Sequence, residues 1–206
     1  MSILNVYIIM KFENLSELQA ELLTKNKIVE LSGKVDGDFG ARFKESFEYL
    51  VAQGSPDFEV TISSGGGKTK IGLDIFYLLR SYPGKITGRV IGSCGSSATN
   101  ILMGCDVRIA HPSSTVLVHH TSSDLHAGWF NLDGTPNKLG KRKIKDVLDT
   151  QEHKIKVLLY RMKGFTPTKL RKLFDENRFL EAGEALQFGL IDEIQDPCET
   201  PFEPKK

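Results

Sequence analysis

The sequence predicts an α/β fold with a mainly parallel sheet, and three observations support this prediction. Short apolar runs rich in β-branched residues alternate with amphipathic segments along the first half of the chain. Two glycine-rich turns each follow an apolar run and precede a helical pattern, as in βαβ units. A long stretch in the second half carries apolar residues at helical spacing, which predicts one extended amphipathic helix.

The first half divides into closely spaced elements. The pattern predicts helices over 14–27, 38–52, 71–80 and 96–104, and strands over 28–31, 58–62, 85–91, 107–110 and 115–119. Asp38 is expected to cap the second helix, since its carboxylate can accept from the free amides of the first turn. Gly54 is expected to end that helix as a left-handed residue. An apolar run over 3–10 is too short to cross a bilayer and is predicted to be a strand.

The second half is dominated by helices. Residues 121–137 carry glycine and proline without periodicity, which predicts a loop or an irregular hairpin. A helix is predicted over 139–163, and Thr166 with Pro167 has the composition of a helix start. A short helix over 181–188 and a strand over 190–194 are expected to complete the fold.

Composition limits the classes of function. The chain has 206 residues and a net charge of +1, which fits one ordinary domain and gives no basic footprint for nucleic acid. Cys94, Cys105 and Cys198 show neither CxxC spacing nor a paired framework. We therefore expect reduced thiols, a cytoplasmic location, and no metal, cofactor, nucleic acid or membrane partner.

The two glycine-rich turns lie over residues 63–67 and 92–96. In a parallel sheet such turns meet at the carboxyl ends of strands, where α/β folds build their sites. A serine there can act as a nucleophile beside backbone amides that stabilise an oxyanion, provided that a base is near. His119 and His120 end a strand downstream, and alternation along that strand does not decide between them. Taken alone, the serine could equally be a helix cap and the histidine a surface residue.

Four segments resemble, in order, the Clp protease proteolytic subunit family. The run SGGG over 64–67 is similar to that family's Ser-Pro-Gly-Gly turn, and GSCGS over 92–96 to its Gly-x-x-x-Ser nucleophile turn. The run VLVH over 116–119 is similar to the strand that ends in its catalytic histidine. The run FLEAGEALQFGLID over 179–192 is similar to its C-terminal motif. Each motif is short, and the order of the four makes the resemblance specific.

The resemblance implies a Clp/crotonase-type α/β fold of repeated ββα and βαβ units with a protruding handle helix. It implies Ser96 as the nucleophile, His119 as the general base, and the amides of Gly67 and Ser97 as the oxyanion hole. The family's third catalytic residue is an aspartate, and Asn177 stands at that position here. An asparagine oxygen can orient the imidazole without stabilising its positive charge. Asp175 and Glu176 remain alternatives for this role.

The implied activity is that of a serine endopeptidase that hydrolyses peptides or unfolded proteins through an acyl-enzyme. The implied assembly is a self-compartmentalising homo-oligomeric ring, with a double heptamer as one form and an AAA+ ATPase as the partner for ATP-dependent proteolysis. We expect a divergent N-terminal segment over 1–27, a peptidase domain over 28–196 and a flexible tail over 197–206. The alternatives are a weak or inactive Clp-like scaffold, a crotonase-type protein that handles acyl-CoA, and a Ser–Lys peptidase using Lys68 or Lys70.

Overall fold

The computed structural model of the protein describes residues 12–122 and 126–196. The predicted strand over 3–10, the predicted tail and Cys198 lie outside the described residues. Within the described ranges, no helix is both long enough and apolar enough to cross a membrane.

The elements alternate as the sequence predicts, with one additional strand at Phe179–Glu181 that was not predicted. The helices are α1 Glu17–Glu21, α2 Gly37–Ala52, α3 Thr69–Ser81, α4 Ser97–Gly104, α5 Lys138–Leu159, α6 Pro167–Glu176 and α7 Ala182–Gln187. The strands are β1 Ile28–Val35, β2 Phe58–Gly67, β3 Ile86–Gly95, β4 Val107–Ala110, β5 Thr115–Leu117, β6 Phe179–Glu181 and β7 Glu193–Ile194. A π-helical turn, Leu22–Asn26, continues α1, and a 3₁₀ turn, Ala127–Trp129, precedes α5.

The described strands form one seven-stranded sheet that is parallel except at one pair. The order along its main path is β1-β2-β3-β4-β7. Strand β3 has two partners on the same edge, since its first half pairs with β4 and its last three residues pair with β5. Strand β6 then pairs with β5 in the antiparallel direction. The predicted α/β fold with a mainly parallel sheet is confirmed.

The start of α2 differs from the prediction by two residues. Asp36, not Asp38, caps the helix, and its side chain accepts from the amide of Phe39 at 3.1 Å. The backbone of Asp36 is extended, as a cap requires, whereas Asp38 already lies in the first helical turn. Gly54 follows the helix with φ +84°, so the predicted left-handed end is confirmed.

Contacts in the structure define three further boundaries of strands and helices. Strands β2 and β3 continue through the two glycine-rich segments, which are therefore extended ends of strands rather than separate turns. The last strand begins only at Glu193, because Arg108 is buried and bonds both Asp192 and the carbonyl of Gly189, which holds the preceding residues out of the sheet. Thr166 caps α6 as predicted, accepting from Lys169 at 3.2 Å.

Helix α4 lies at the centre of the fold. All eight of its residues are buried, and it packs against α3 through glycines. A Cβ on Gly72 would lie 2.5 Å from the carbonyl oxygen of Ser97, and one on Gly104 would lie 3.0 Å from Leu79. Small residues therefore let the two helices approach closely and hold the start of α4 rigidly.

Candidate active site

The two glycine-rich segments touch each other. Gly66 has φ +97°, and a Cβ there would lie 2.5 Å from the carbonyl oxygen of Gly95 and 2.6 Å from the Cβ of Ser96. A Cβ on Gly95 would in turn lie 2.8 Å from the carbonyl oxygen of Gly65. Only glycine permits this backbone-to-backbone contact. The two segments therefore form one continuous surface at the carboxyl ends of β2 and β3.

Ser96 occupies a strained junction between β3 and α4. Its φ of +55° and ψ of −116° are unusual for a residue with a side chain, and such a conformation costs about 1–3 kcal/mol. Its amide donates to the carbonyl of Leu117 at 2.7 Å, which ties the junction to β5. A strained serine between a strand and a helix is the arrangement that exposes the hydroxyl of a nucleophile elbow. Ser96 is half-buried, in contrast to the fully buried Ser97.

The two predicted oxyanion-hole amides belong to adjoining backbone segments. Ser97 is the first residue of α4, so its N–H is one of the helix amides that lack a partner within the helix. Its nitrogen lies 3.0 Å from the position that a Gly66 Cβ would take. Gly67 follows directly and ends β2, where a Cβ would meet the carbonyl of Val35. Gly66 thus brings the segment that ends at Gly67 into contact with Ser96 and Ser97.

His119 lies two residues beyond β5. Val116 and Val118 are buried, so Leu117 and His119 share the opposite face of this segment, and Leu117 is the residue that bonds the Ser96 amide. Burial lowers the pKa of His119, and the positive charge of Lys154 lowers it further. The neutral imidazole that a general base requires is therefore favoured. No hydrogen bond joins the side chains of Ser96 and His119, both of which are described.

His120 is engaged elsewhere. Its Nε2 lies 2.8 Å from the Oδ1 of Asp175, and its Nδ1 lies 3.4 Å from the Nε2 of Gln151. The ring also packs edge-on against Phe174, with 5.3 Å between centroids. Both ring nitrogens thus face groups of α5 and α6. Asp175 therefore contacts His120 and not His119.

The pairing of β5 with β6 relates His119 to Asn177. Leu117 lies opposite Phe179 in the antiparallel register, which ends two residues before His119 and two residues after Asn177. The segments that carry these two residues are therefore neighbours in the fold. Asn177 ends α6 in the left-handed conformation, with φ +45°, and its side chain is exposed. Among the described side chains none bonds that of His119, and Glu176 instead accepts from Arg178 at 2.9 Å.

A model of the Clp protease family matches residues 13–197. The chain belongs to the Clp protease family. The match covers most of the chain and begins upstream of Ile28, where the motif resemblance begins. The parallel sheet and its helices agree with the fold of that family. Family membership supports a peptidase activity.

Lys154 of this Clp protease family member lies on α5 and was not predicted as a site residue from the sequence. Its side chain is only 1% exposed, and its Nζ donates to the carbonyl oxygen of His119 at 2.5 Å and lies 5.3 Å from the ring centre of Phe174. Burial lowers the pKa of Lys154 to about 8. The signal in the sequence was a lysine on the apolar stripe of α5, beside Ile155 and four residues before Leu158, where a solvated charge is not expected.

Gln151, one turn before Lys154, reinforces the same attachment. Its Oε1 accepts from the amide of Thr121 at 2.6 Å. Helix α5 therefore holds the backbone of the histidine segment at two points, on either side of His120. The position of His119 depends on this helix as well as on β5.

The thiol nearest to the site is not reactive. Cys94 lies two residues before Ser96, is fully buried and is unpaired, and burial raises its pKa to about 12. A thiol with such a pKa stays protonated at neutral pH and is a poor nucleophile. Within residues 12–122 and 126–196, no group of three or more histidine, cysteine, aspartate or glutamate side chains could hold a metal ion.

Proposed function

We propose that this Clp protease family member is a serine endopeptidase with Ser96 as its nucleophile. The observation that carries the proposal is the strained backbone of Ser96 at the junction between β3 and α4. Strain of this kind persists where surrounding contacts enforce it, and it concentrates at catalytic residues. The contact with Gly66 and the bond to the Leu117 carbonyl supply that enforcement here.

In the proposed reaction, the Ser96 hydroxyl attacks the carbonyl carbon of the scissile peptide bond while His119 takes its proton. The amides of Gly67 and Ser97 stabilise the negative oxygen of the tetrahedral intermediate. His119 then gives the proton to the departing amine, and an ester to Ser96 remains. Water, deprotonated by His119, attacks that ester and releases the acid and the free serine.

Asn177 is the proposed third member. Its side-chain oxygen can accept the Nδ1 proton of His119 and thereby orient the ring. It carries no charge, so it stabilises the imidazolium less than a carboxylate would. We therefore expect slow turnover compared with an enzyme that has aspartate at this position.

The proposed substrate is a peptide or an unfolded protein, cleaved within a homo-oligomeric ring by a peptidase domain over 28–196. The first part of α5 supports the oligomer, since Leu139 and Leu148 are 43% and 58% exposed and Ile144 and Val147 are only partly covered. An AAA+ ATPase partner remains part of the proposal because the family includes such machines.

A second candidate function is a catalytically weak scaffold. Two observations favour it: the third position holds Asn177, and no hydrogen bond links the described side chains of Ser96, His119 and Asn177. A crotonase-type role has less support, because the site pairs a strained serine with a histidine and lacks a carboxylate at position 177.

A fluorophosphonate probe tests the proposal directly. We expect the probe to label wild-type protein and the labelled peptide to contain modified Ser96. The Ser96→Ala variant should not react, whereas the matched Ser97→Ala variant should, because Ser97 is buried. Labelling that persists in Ser96→Ala would reject the assignment. An unlabelled wild-type protein that still forms its oligomer would support the scaffold instead.

A further inference from the structure

An open groove of about 480 Å³ lies beside the proposed site. One wall is formed by residues 68–70, which continue directly from Gly67. Another is formed by Thr121 and Ser122, which follow the two histidines. Trp129 and the middle of α5 close the remaining sides. The walls formed by residues 68–70 and by Thr121 and Ser122 continue the chain from the proposed oxyanion and histidine segments, so a peptide bound at Ser96 can extend between them.

The groove is positively charged. Lys68, Lys70 and Lys143 line it, against the single aspartate Asp146. Lys70 already pairs with Asp74 at 2.8 Å, outside the groove lining. Neither Lys68 nor Lys143 has a carboxylate within ion-pair distance among the residues that the structure describes. Lys68 is exposed and Lys143 is partly exposed, and neither has an anionic partner among the described residues, so the groove is a binding environment for a carboxylate.

We propose that this groove, which we call the basic groove, binds acidic side chains of the substrate next to the scissile bond. The inference rests on the proposed peptidase function and adds a substrate class to it, namely peptides with aspartate or glutamate near the cleavage site. Lys68 and Lys143 are the specificity-determining residues. They lie on different walls of the groove, so two acidic residues of one bound peptide can each pair with one of them.

The expected size of the preference follows from the exposure of the two lysines. An ion pair at a solvent-exposed site changes affinity by about threefold, and two such pairs together by about tenfold. The preference should shrink at high ionic strength, because salt screens exposed charges.

A binding experiment tests the groove apart from catalysis. Two fluorescent peptides of one sequence, with either glutamates or glutamines at the same central positions and with amidated C-termini, are titrated against the Ser96→Ala variant by anisotropy. We expect the glutamate peptide to bind about tenfold more tightly. Adding Lys68→Gln and Lys143→Gln should remove most of this difference. Adding Lys141→Gln and Lys172→Gln, which make the same change of charge at exposed sites outside the groove lining, should leave it intact.

A third peptide, with glutamines and a free C-terminus, separates side-chain recognition from capture of a terminal carboxylate. Tighter binding of this peptide alone would overturn the proposal, as would equal binding of the glutamate and glutamine peptides. Turnover of the three peptides by wild-type protein distinguishes failure of the basic-groove proposal from failure of the peptidase proposal. Cleavage without preference rejects the basic groove and keeps the peptidase, whereas a binding preference with no cleavage and no probe labelling keeps the groove and rejects the peptidase.

Discussion

At the scale of single residues, the candidate site combines two features that lower the stability of the fold. Ser96 holds a strained backbone, and Lys154 buries an ammonium group that burial alone disfavours. Both converge on one segment, because the Ser96 amide bonds Leu117 and the Lys154 ammonium bonds the carbonyl of His119. Features that destabilise a fold and meet at one point are typical of a functional site.

The buried charge of Lys154 should set the acid limb of the pH profile. His119 must be neutral to act as a base, so kcat/KM rises as the pH passes its pKa. Lys154 lowers that pKa, and the Lys154→Met variant should therefore shift the acid limb to higher pH. The other groups facing this segment, His120 and its partner Asp175, are unchanged. Well above the pKa of His119 the imidazole is neutral in both proteins, so the two profiles should converge there.

Lys156→Met is the matched control, since Lys156 lies on the same helix and is exposed. Its acid limb should coincide with that of wild type. Thermal unfolding establishes that both variants are folded. An unshifted acid limb in a folded Lys154→Met protein would mean that Lys154 supports the structure without influencing His119.

The Asn177→Asp variant should gain activity. A carboxylate at position 177 would stabilise the imidazolium that forms as Ser96 attacks, and we expect kcat to rise about tenfold, or ~1.4 kcal/mol. The new carboxylate should also raise the pKa of His119 and shift the acid limb of the pH profile to higher pH. Aspartate tolerates the left-handed backbone of this position.

The Asn177→Gly variant is the control, because glycine favours the same left-handed backbone conformation and removes the side chain. It should lower kcat if the Asn177 amide orients the ring. Turnover of one fluorogenic peptide by the three proteins gives the comparison. If Asp175→Ala abolishes turnover while Asn177→Asp changes nothing, the third member is Asp175.

At the scale of elements, the site depends on contact between the ends of β2 and β3. Gly66→Ala should destroy that contact, since its Cβ would overlap the Gly95 carbonyl and Ser96, and its φ of +97° disfavours alanine. We expect a loss of stability of at least ~1–3 kcal/mol and a fall in activity of roughly 100-fold. Urea unfolding and peptide turnover measure the two effects.

Gly65→Ala provides the comparison within the same segment. A Cβ on Gly65 meets nothing within 4 Å, and its φ lies outside the left-handed region. Stability and activity should stay close to wild type. Equal losses in the two variants would show that the segment as a whole, and not the Gly66 contact, limits the site.

At the scale of the whole molecule, the unevenly covered helix α5 points to assembly. Its last third is buried against the core through Ile155, Val157 and Leu158, while Leu148 remains 58% exposed. Leu148→Glu should therefore shift the protein towards smaller species in light scattering at micromolar concentration. Leu18→Glu makes the same change at a residue that is 64% exposed on α1, and it should leave the mass unchanged. A monomeric wild-type protein would refute the predicted oligomer.

The α/β class, most of the order of the elements and the two glycine-rich segments follow from the sequence alone. These features are local: hydrophobic periodicity follows from burial on one face, and glycine marks positions where a side chain does not fit. Helix ends were predicted to within a few residues, as at Asp36, because neighbouring aspartates compete for the cap. The family motifs also singled out Ser96, His119 and Asn177 before any geometry was known.

The spatial relations among these residues depend on the packing of the fold. The strained φ of Ser96 is found where the residue contacts Gly66 and β5, both distant in sequence. The antiparallel pairing of β5 with β6 ends two residues before His119 and two residues after Asn177, and the engagement of His120 depends on α5 and α6. Lys154 reaches His119 across 35 residues of chain. Such long-range contacts leave no period in a sequence, because the partner of each residue is chosen by the packing of the whole fold.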